Sequence, residues 1–249
     1  MKNINNAETY AELYSKVETV GDWMDLLNRE DLNYFDFTTS LSEYVPGNAA
    51  FWKIAEIGGD WTFNENKLPK PKYHAKDTVN DNMVVSERQI LEKTNYSYGY
   101  NRHDLDDVCS RIVDALSLEN ISANVNIQPP GSVKNLHMDT LTCFYHHSEQ
   151  DMNKFKFDRK QRQPVDYPRM YRMLVALTDW QPGWMVQMGV EHWANWKKGD
   201  VILLDWHNVA HATANGSFVN RPLLKITASA KNDWLKDHLL TETVKQINI

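Results

Sequence analysis

In ISANVNIQPPGSVKNLHMDTLTCFYH (residues 121–146), two runs of strand-like alternation flank the turn-forming Pro129-Pro-Gly131. The second run contains Lys134-Asn-Leu-His-Met-Asp139, with a histidine and an aspartate two residues apart. In an extended chain, residues i and i+2 point to the same face. The imidazole of His137 and the carboxylate of Asp139 can therefore converge on one metal ion without distorting the backbone. A third ligand has to come from elsewhere in the chain.

The same grammar continues downstream. Short apolar or alternating runs follow at YRMLVALT (171–178), WMVQMGV (184–190), EHWANW (191–196), DVILLDW (200–206), NVAHATA (208–214) and LLKITASA (223–230). With ISANVNIQ (121–128) and TLTCFYH (140–146) they make eight short strands. They are punctuated by Gln181-Pro-Gly183, Lys198-Gly-Asp200 and Asn215-Gly216. Strands at this spacing suggest a sandwich or jelly roll closed over a pocket.

Upstream the periodicity is different. Residues 7–28 carry Tyr10, Leu13, Tyr14, Val17, Val20 and Trp23 at roughly helical spacing. Residues 103–118 predict a helix with Asp104 as N-cap and Leu105, Val108, Ile112, Val113 and Leu116 on one face. Between them, residues 30–100 read as short mixed elements and loops. The expected fold is mainly β, a double-stranded β-helix of jelly-roll, cupin-like type flanked by helices. A helical and irregular region (1–119) packs on a core (120–232) that holds an insert (147–169), and a tail (233–249) follows. There is no internal repeat, and the whole reads as one structural domain.

Composition narrows the function class. With 42% apolar and 24% charged residues, the chain can build an ordinary soluble core. Its net charge of −6 argues against a duplex nucleic-acid partner, which calls for a basic footprint. Cys109 and Cys143 fit no CxxC or disulfide framework and read as reduced thiols. No apolar run is long enough to span a membrane, and Met1-Lys-Asn-Ile-Asn-Asn lacks a signal-peptide core. The expected location is the cytoplasm, with no membrane partner.

Candidates for the third ligand are His146, His147, His192, His207, His211 and His238. Two histidines and one carboxylate with open positions make the usual non-haem Fe(II) site for oxygen chemistry. His137-x-Asp139, the later His211 and Arg221 ten residues beyond it resemble the signature of the 2-oxoglutarate and Fe(II)-dependent oxygenases. The frame around His211 is similar too: Gly199-Asp200 opens a strand, His211 follows eleven residues after Asp200, and Asn215 comes shortly after. This likeness covers roughly residues 120–230.

The resemblance implies a double-stranded β-helix in which His137, Asp139 and His211 hold Fe(II). Arg221 would anchor the distal carboxylate of 2-oxoglutarate through its planar fork. It also implies use of O₂, release of succinate and CO₂, and hydroxylation of a substrate C–H bond. Spacing within this frame favours His211 over His207. Asn126-Ile-Gln128-Pro-Pro-Gly131 resembles the Asn-x-Tyr-x-x-Gly stretch of the nucleic-acid dealkylases of this superfamily, with Gln in place of Tyr. Asn126 and Gln128 share a face, so both are candidates to hydrogen-bond the cosubstrate. Where the family commonly has Arg-x-Ser, this chain has Arg221-Pro-Leu223, which leaves the hydroxyl partner of the carboxylate open.

Two other readings fit a jelly roll: a cupin-type metal dioxygenase or isomerase, and a non-catalytic binding protein. Cupins commonly carry a His-x-His pair, which this chain lacks. The insert carries Lys154, Lys156, Arg159, Lys160, Arg162 and Arg169 against few acids, as a solvated loop or as a basic lid suited to an anionic substrate. Trp180, Trp184, Trp193, Trp196 and Trp206 read mostly as packing, with Trp184 and Trp206 as candidate pocket residues. The expected partner is a small-molecule or peptidyl substrate.

Overall fold

The structure is a computed structural model that describes residues 10–27, 51–68, 98–101, 105–137, 154–159, 163–165, 168, 170–189, 191–204, 209, 211–230 and 243–249. The chain divides into two compact units. The larger comprises Ala49–His137, Met170–Asp205 and His211–Ile249, and the smaller comprises Met1–Asn48, Met138–Arg169 and Trp206–Ala210.

The larger unit is built on eight strands: β3 (Leu118–Gln128), β4 (Val133–His137), β7 (Met170–Ala176), β8 (Trp184–Met188), β9 (Glu191–Trp193), β10 (Asp200–Leu204), β11 (His211–Asn215) and β12 (Arg221–Ala230). Strands β10-β7-β12-β3 lie side by side in the large sheet, and β4-β11-β8-β9 form the small one. Except for the β8–β9 hairpin, each step along the chain changes sheet. All these neighbours pair antiparallel. This is the strand order of a double-stranded β-helix. β1 (Phe51–Gly58) and β13 (Lys245–Asn248) extend the large sheet beyond β10, and β2 (Tyr98–Asn101) extends it beyond β3.

One face of the large sheet is apolar. Ala123, Val125 and Ile127, Met173 and Val175, Val201 and Leu203, and Leu224, Ile226 and Ala228 form one cluster with Cys109, Ile112, Val113 and Leu116 of α3 (Asp107–Ala115). The other face carries the alternate residues and looks toward the small sheet. Helix α3 starts at Asp106, two residues after the expected cap, because the Asp106 carboxylate accepts from the Cys109 N–H at 2.8 Å. It ends where Ser117 turns left-handed at φ 52°. Burial pushes the Cys109 thiol well above the ordinary range, with Asp106 adding to it.

Two other expectations change. Residues 51–58, expected as irregular, form an eight-residue strand. A register shift between Lys53 and Ala55 buries Ile54 and Ala55 together and breaks the alternation a sequence reading relies on. The C-terminal tail supplies β13, which pairs parallel with Ala55–Gly58 across most of the chain length. Gly199 must be glycine: at φ +91° its backbone abuts Ile57, and a Cβ would collide with the Ile57 carbonyl. The expected strand 140–146 lies outside the described residues.

In the smaller unit the expected helix 7–28 is two helices, α1 (Tyr10–Ser15) and α2 (Val20–Leu27). The break is a reciprocal cap: the Thr19 N–H donates to the Asp22 carboxylate at 2.8 Å, and the Asp22 N–H donates to Thr19 Oγ1 at 3.1 Å. The described part of the basic insert forms the hairpin β5 (Phe157–Asp158) and β6 (Gln163–Pro164). Phe157 is buried and stacks on Trp23 at 4.8 Å, and the Val20 N–H donates to the Phe155 carbonyl at 3.0 Å. Among the described residues no helix is long and apolar enough to cross a membrane.

Candidate functional site

The register of β4 on β11 sets His211 directly across from His137. Between this pair and Lys134↔Thr213, β4 takes three steps while β11 takes two, an irregularity of the kind that re-aims residues beside active sites. His211 is 8% exposed and is also paired with Met188 of β8. Asp139 and the competing His207 lie outside the described residues, as do His146, His147 and His238. Among the described residues no cluster of three or more His, Cys, Asp or Glu forms a metal site. His192 sits on β9 opposite Gln187.

The residues that framed His211 in the sequence have structural duties. Asn215 is 1% exposed and donates to the carbonyls of Gln128 at 2.7 Å and Val219 at 2.8 Å. Its Oδ1 accepts from the Ser217 N–H and hydroxyl. It therefore pins the end of β3 to the turn that leads into β12. Asp200 caps the preceding turn, accepting from the Lys197 N–H at 3.0 Å and pairing with Lys53 at 2.8 Å.

Arg221 and Gln128 are direct cross-strand partners on the inner face. Arg221 is 4% exposed, and its Nη1 donates across to the small sheet, to the carbonyls of Met185 at 2.6 Å and Ala214 at 3.4 Å. Its Nε is buried with no partner. Burial pulls the guanidinium down to about 9, still charged at neutral pH. A desolvated cation is costly unless an anion meets it. With Nη1 engaged, the unpartnered Nε is left as a donor that a carboxylate would suit.

Gln128 donates through Nε2 to the carbonyls of Ser132 at 3.1 Å and Thr213 at 3.3 Å, which fixes its amide. Its remaining buried atom, Oε1, is an acceptor without a partner. Gln128 thus offers the interior an acceptor for a hydroxyl or N–H. Asn126, opposite Leu223, lies on the same face and is half-buried. Leu223, where the family pattern has serine, is buried and brings no hydroxyl.

Two cations of this interior and an exposed lysine of the small sheet were not singled out by the sequence reading. Arg172, in the middle of the YRMLVALT run, is 3% exposed, and its Nε donates to Thr227 Oγ1 at 3.0 Å. Lys225 interrupts the apolar LLKITASA run, opposite Leu174 and Asn124. Lys134 lies on β4 opposite Thr213. A charged residue inside an otherwise apolar strand was the available signal.

The tryptophans pack. Trp184 is buried, stacks on Trp196 at 5.9 Å and donates to Ser217 Oγ at 2.8 Å, and Trp193 meets Trp196 at 4.4 Å. Trp206 lies outside the described residues. An open cleft of about 610 Å³ at the Asn215 end is lined by Phe63, Pro130, Trp184, Phe218 and Pro222 among others.

No family model matches the chain, and no curated protein matches it. Among solved structures, it is similar to a prolyl-4-hydroxylase from Pseudomonas putida at TM-score 0.36 and 18% identity, covering 59% of this chain and 82% of that one. A non-haem α-ketoglutarate-dependent carbocyclase, SnoK from nogalamycin biosynthesis, gives TM-score 0.35 and 12% identity over 65% and 83%. A cupin domain from Bordetella pertussis gives 0.32 and 12% over 55% and 97%. At these scores the likenesses carry no argument about chemistry, and the fold rests on the chain's own strand order: a double-stranded β-helix.

Proposed function

We propose that this chain is a 2-oxoglutarate and Fe(II)-dependent oxygenase, acting as a hydroxylase. The reading is carried by Arg221, a guanidinium buried in the barrel interior with an unpartnered Nε. It follows His211 by ten residues, and both are buried. His137, Asp139 and His211 would hold Fe(II), and Arg221 would take the distal carboxylate of 2-oxoglutarate. Two imidazoles and a carboxylate suit that metal and leave positions open for the cosubstrate and O₂. When bound, the metal and cosubstrate supply oxidation of a substrate C–H bond, coupled to decarboxylation of 2-oxoglutarate to succinate and CO₂.

The chain's own residues orient and desolvate. Arg221, held by two carbonyls, fixes the far end of the cosubstrate. Gln128 Oε1, a buried acceptor without a partner, would accept from a ligand hydroxyl and so act by positioning.

Anaerobic titration of purified protein with Fe(II) and 2-oxoglutarate is expected to give a weak visible charge-transfer band. That band is expected to vanish in His211→Ala and persist in His207→Ala. If no band forms in the parent chain, the barrel is a binding protein or uses other metal chemistry.

A further inference from the structure

Among its described residues the larger unit exposes three large apolar side chains, and they gather at one end of it. Phe218 is 100% exposed, Val219 51% and Val133 37%. Phe218 and Val219 belong to the turn between β11 and β12, and Val133 starts β4 opposite Ala214, the residue before Asn215. Single exposed apolar residues are ordinary, but a gathering of them marks an interaction surface. Beside Phe218 opens the cleft of about 610 Å³, whose walls include Phe63, Pro130, Trp184 and Pro222. One end of the unit thus carries both a projecting aromatic ring and an aromatic recess.

The turn that carries the ring is fixed by hydrogen bonds. The Val219 N–H donates to Ser217 Oγ at 3.2 Å, and Asn215 Nδ2 donates to the Val219 carbonyl at 2.8 Å. Two further bonds tie the turn to the start of β8. Trp184 Nε1 donates to Ser217 Oγ at 2.8 Å, and the Gly216 N–H donates to the Gly183 carbonyl at 2.8 Å. A Cβ on Gly183, at φ +94°, would sit 2.7 Å from the Gly216 carbonyl carbon, so the two turns pack backbone to backbone. An exposed ring on a turn defined this way loses little freedom on docking. Charge does not account for the surface. Of the ten cleft residues Glu65 alone is ionisable, and it accepts from Asn220 Nδ2 at 2.7 Å.

We propose that a second copy of this chain docks here, each copy seating Phe218 in the other's cleft about a two-fold axis. A small ligand in the cleft would leave Phe218 in water, and a partner with only a socket for Phe218 would leave the cleft open. An occupant that brings both a projecting apolar group and a recess covers both, and a second copy has the two side by side. Reciprocal use of one patch is what an isologous pair requires. Each ring buries roughly 150–250 Å². Two rings with the walls they meet suit an interface below about 1,200 Å², hence a weak and reversible pair with Phe218 at its centre. His137 ends β4 and His211 begins β11, at the opposite ends of those strands from Val133 and Asn215. The pairing therefore leaves the end with the candidate ligands free, and it does not rest on the oxygenase reading.

Sedimentation velocity on the full chain, from about 1 to about 500 µM, tests this. The average mass is expected to rise from one chain toward two and no further. Phe218→Ser is expected to weaken the association about 30-fold or more. Gln181→Arg, which crowds the exposed lip of the cleft, is expected to weaken it about tenfold. Both positions are exposed, so both variants are expected to keep the parent's thermal midpoint, and Val219→Asp is a further variant of the same patch. A chain that stays single across this range, or a Phe218→Ser variant that pairs as well as the parent, overturns the proposal. Weakening by Phe218→Ser but not by Gln181→Arg overturns the reciprocal docking, because the ring then seats elsewhere. Growth beyond two chains overturns the two-fold arrangement in favour of a head-to-tail array. If the parent stays single yet binds an apolar fluorescent dye that Phe218→Ser does not, the surface belongs to another partner and the proposal falls.

Discussion

The two faces of the large sheet are made by the same four strands and obey opposite rules. The outer face presents Val125, Ile127, Met173, Val175, Leu224 and Ile226 to α3, and each of these except Met173 would pass unnoticed in any β-sandwich core. The inner face presents Gln128, Arg172, Arg221, Thr227 and Ser229, all buried and all polar. Burying hydrocarbon stabilises the fold by about 1.5–3 kcal/mol for each large side chain. Burying a guanidinium works against it unless something compensates. The outer face holds the protein together, and the inner face marks where a ligand is expected.

The strongest way to break this contrast is to cut each face and compare. Leu224→Ala, at a position with 0% exposure on the outer face, is expected to lower unfolding stability by about 2–5 kcal/mol in a denaturant titration. A loss below ~1 kcal/mol would mean the helix-facing layer is not the main core. Arg221→Met should change the stability of the ligand-free protein by at most about 1 kcal/mol, since it removes a charge as well as its bonds to carbonyls. The same substitution should weaken 2-oxoglutarate binding about 30-fold or more. A large stability loss with unchanged affinity would turn Arg221 into a purely structural residue.

Asn215 sharpens the boundary between the faces, because it is polar and buried yet has hydrogen bonds at both ends of its amide. Asn215→Ala is expected to cost about 1–3 kcal/mol, read as a shift in the denaturation midpoint. A neutral result would show that water replaces the pin between β3 and the 215–219 turn. Asp106→Ala, which removes only the cap of α3, should cost ~1 kcal/mol with 2-oxoglutarate affinity unchanged. If affinity falls with it, the helix side of the sheet reaches the interior more directly than the contrast allows.

Several of these features were legible in the chain. The eight-strand rhythm after residue 120 is a local pattern, because period-2 alternation and turn residues act over a few positions. The capping pair Thr19 and Asp22 is also a sequence signal, three residues apart, and the apolar periodicity of residues 7–28 overrode it. Strand β1 was hidden because its bulge buries two adjacent residues. Strand β13 was hidden because its partner lies in residues 55–58, and no local pattern encodes a pairing at that distance. For the site, spacing alone nominated His137, Asp139, His211 and Arg221.

By itself, then, the sequence determined the fold class and the order of the candidate ligands, because both depend on periodicity and spacing along the chain. The tertiary structure decided what strand pairing alone can decide. It set His211 across from His137 and Arg221 across from Gln128. It committed the Gln128 amide nitrogen to two carbonyls, leaving its oxygen as an acceptor without a partner. It also turned Arg172 and Lys225, unremarkable charges in apolar runs, toward the same interior as the candidate cosubstrate anchor. The inner and outer faces alternate residue by residue in the chain, and only pairing and packing assign which of the two is dry.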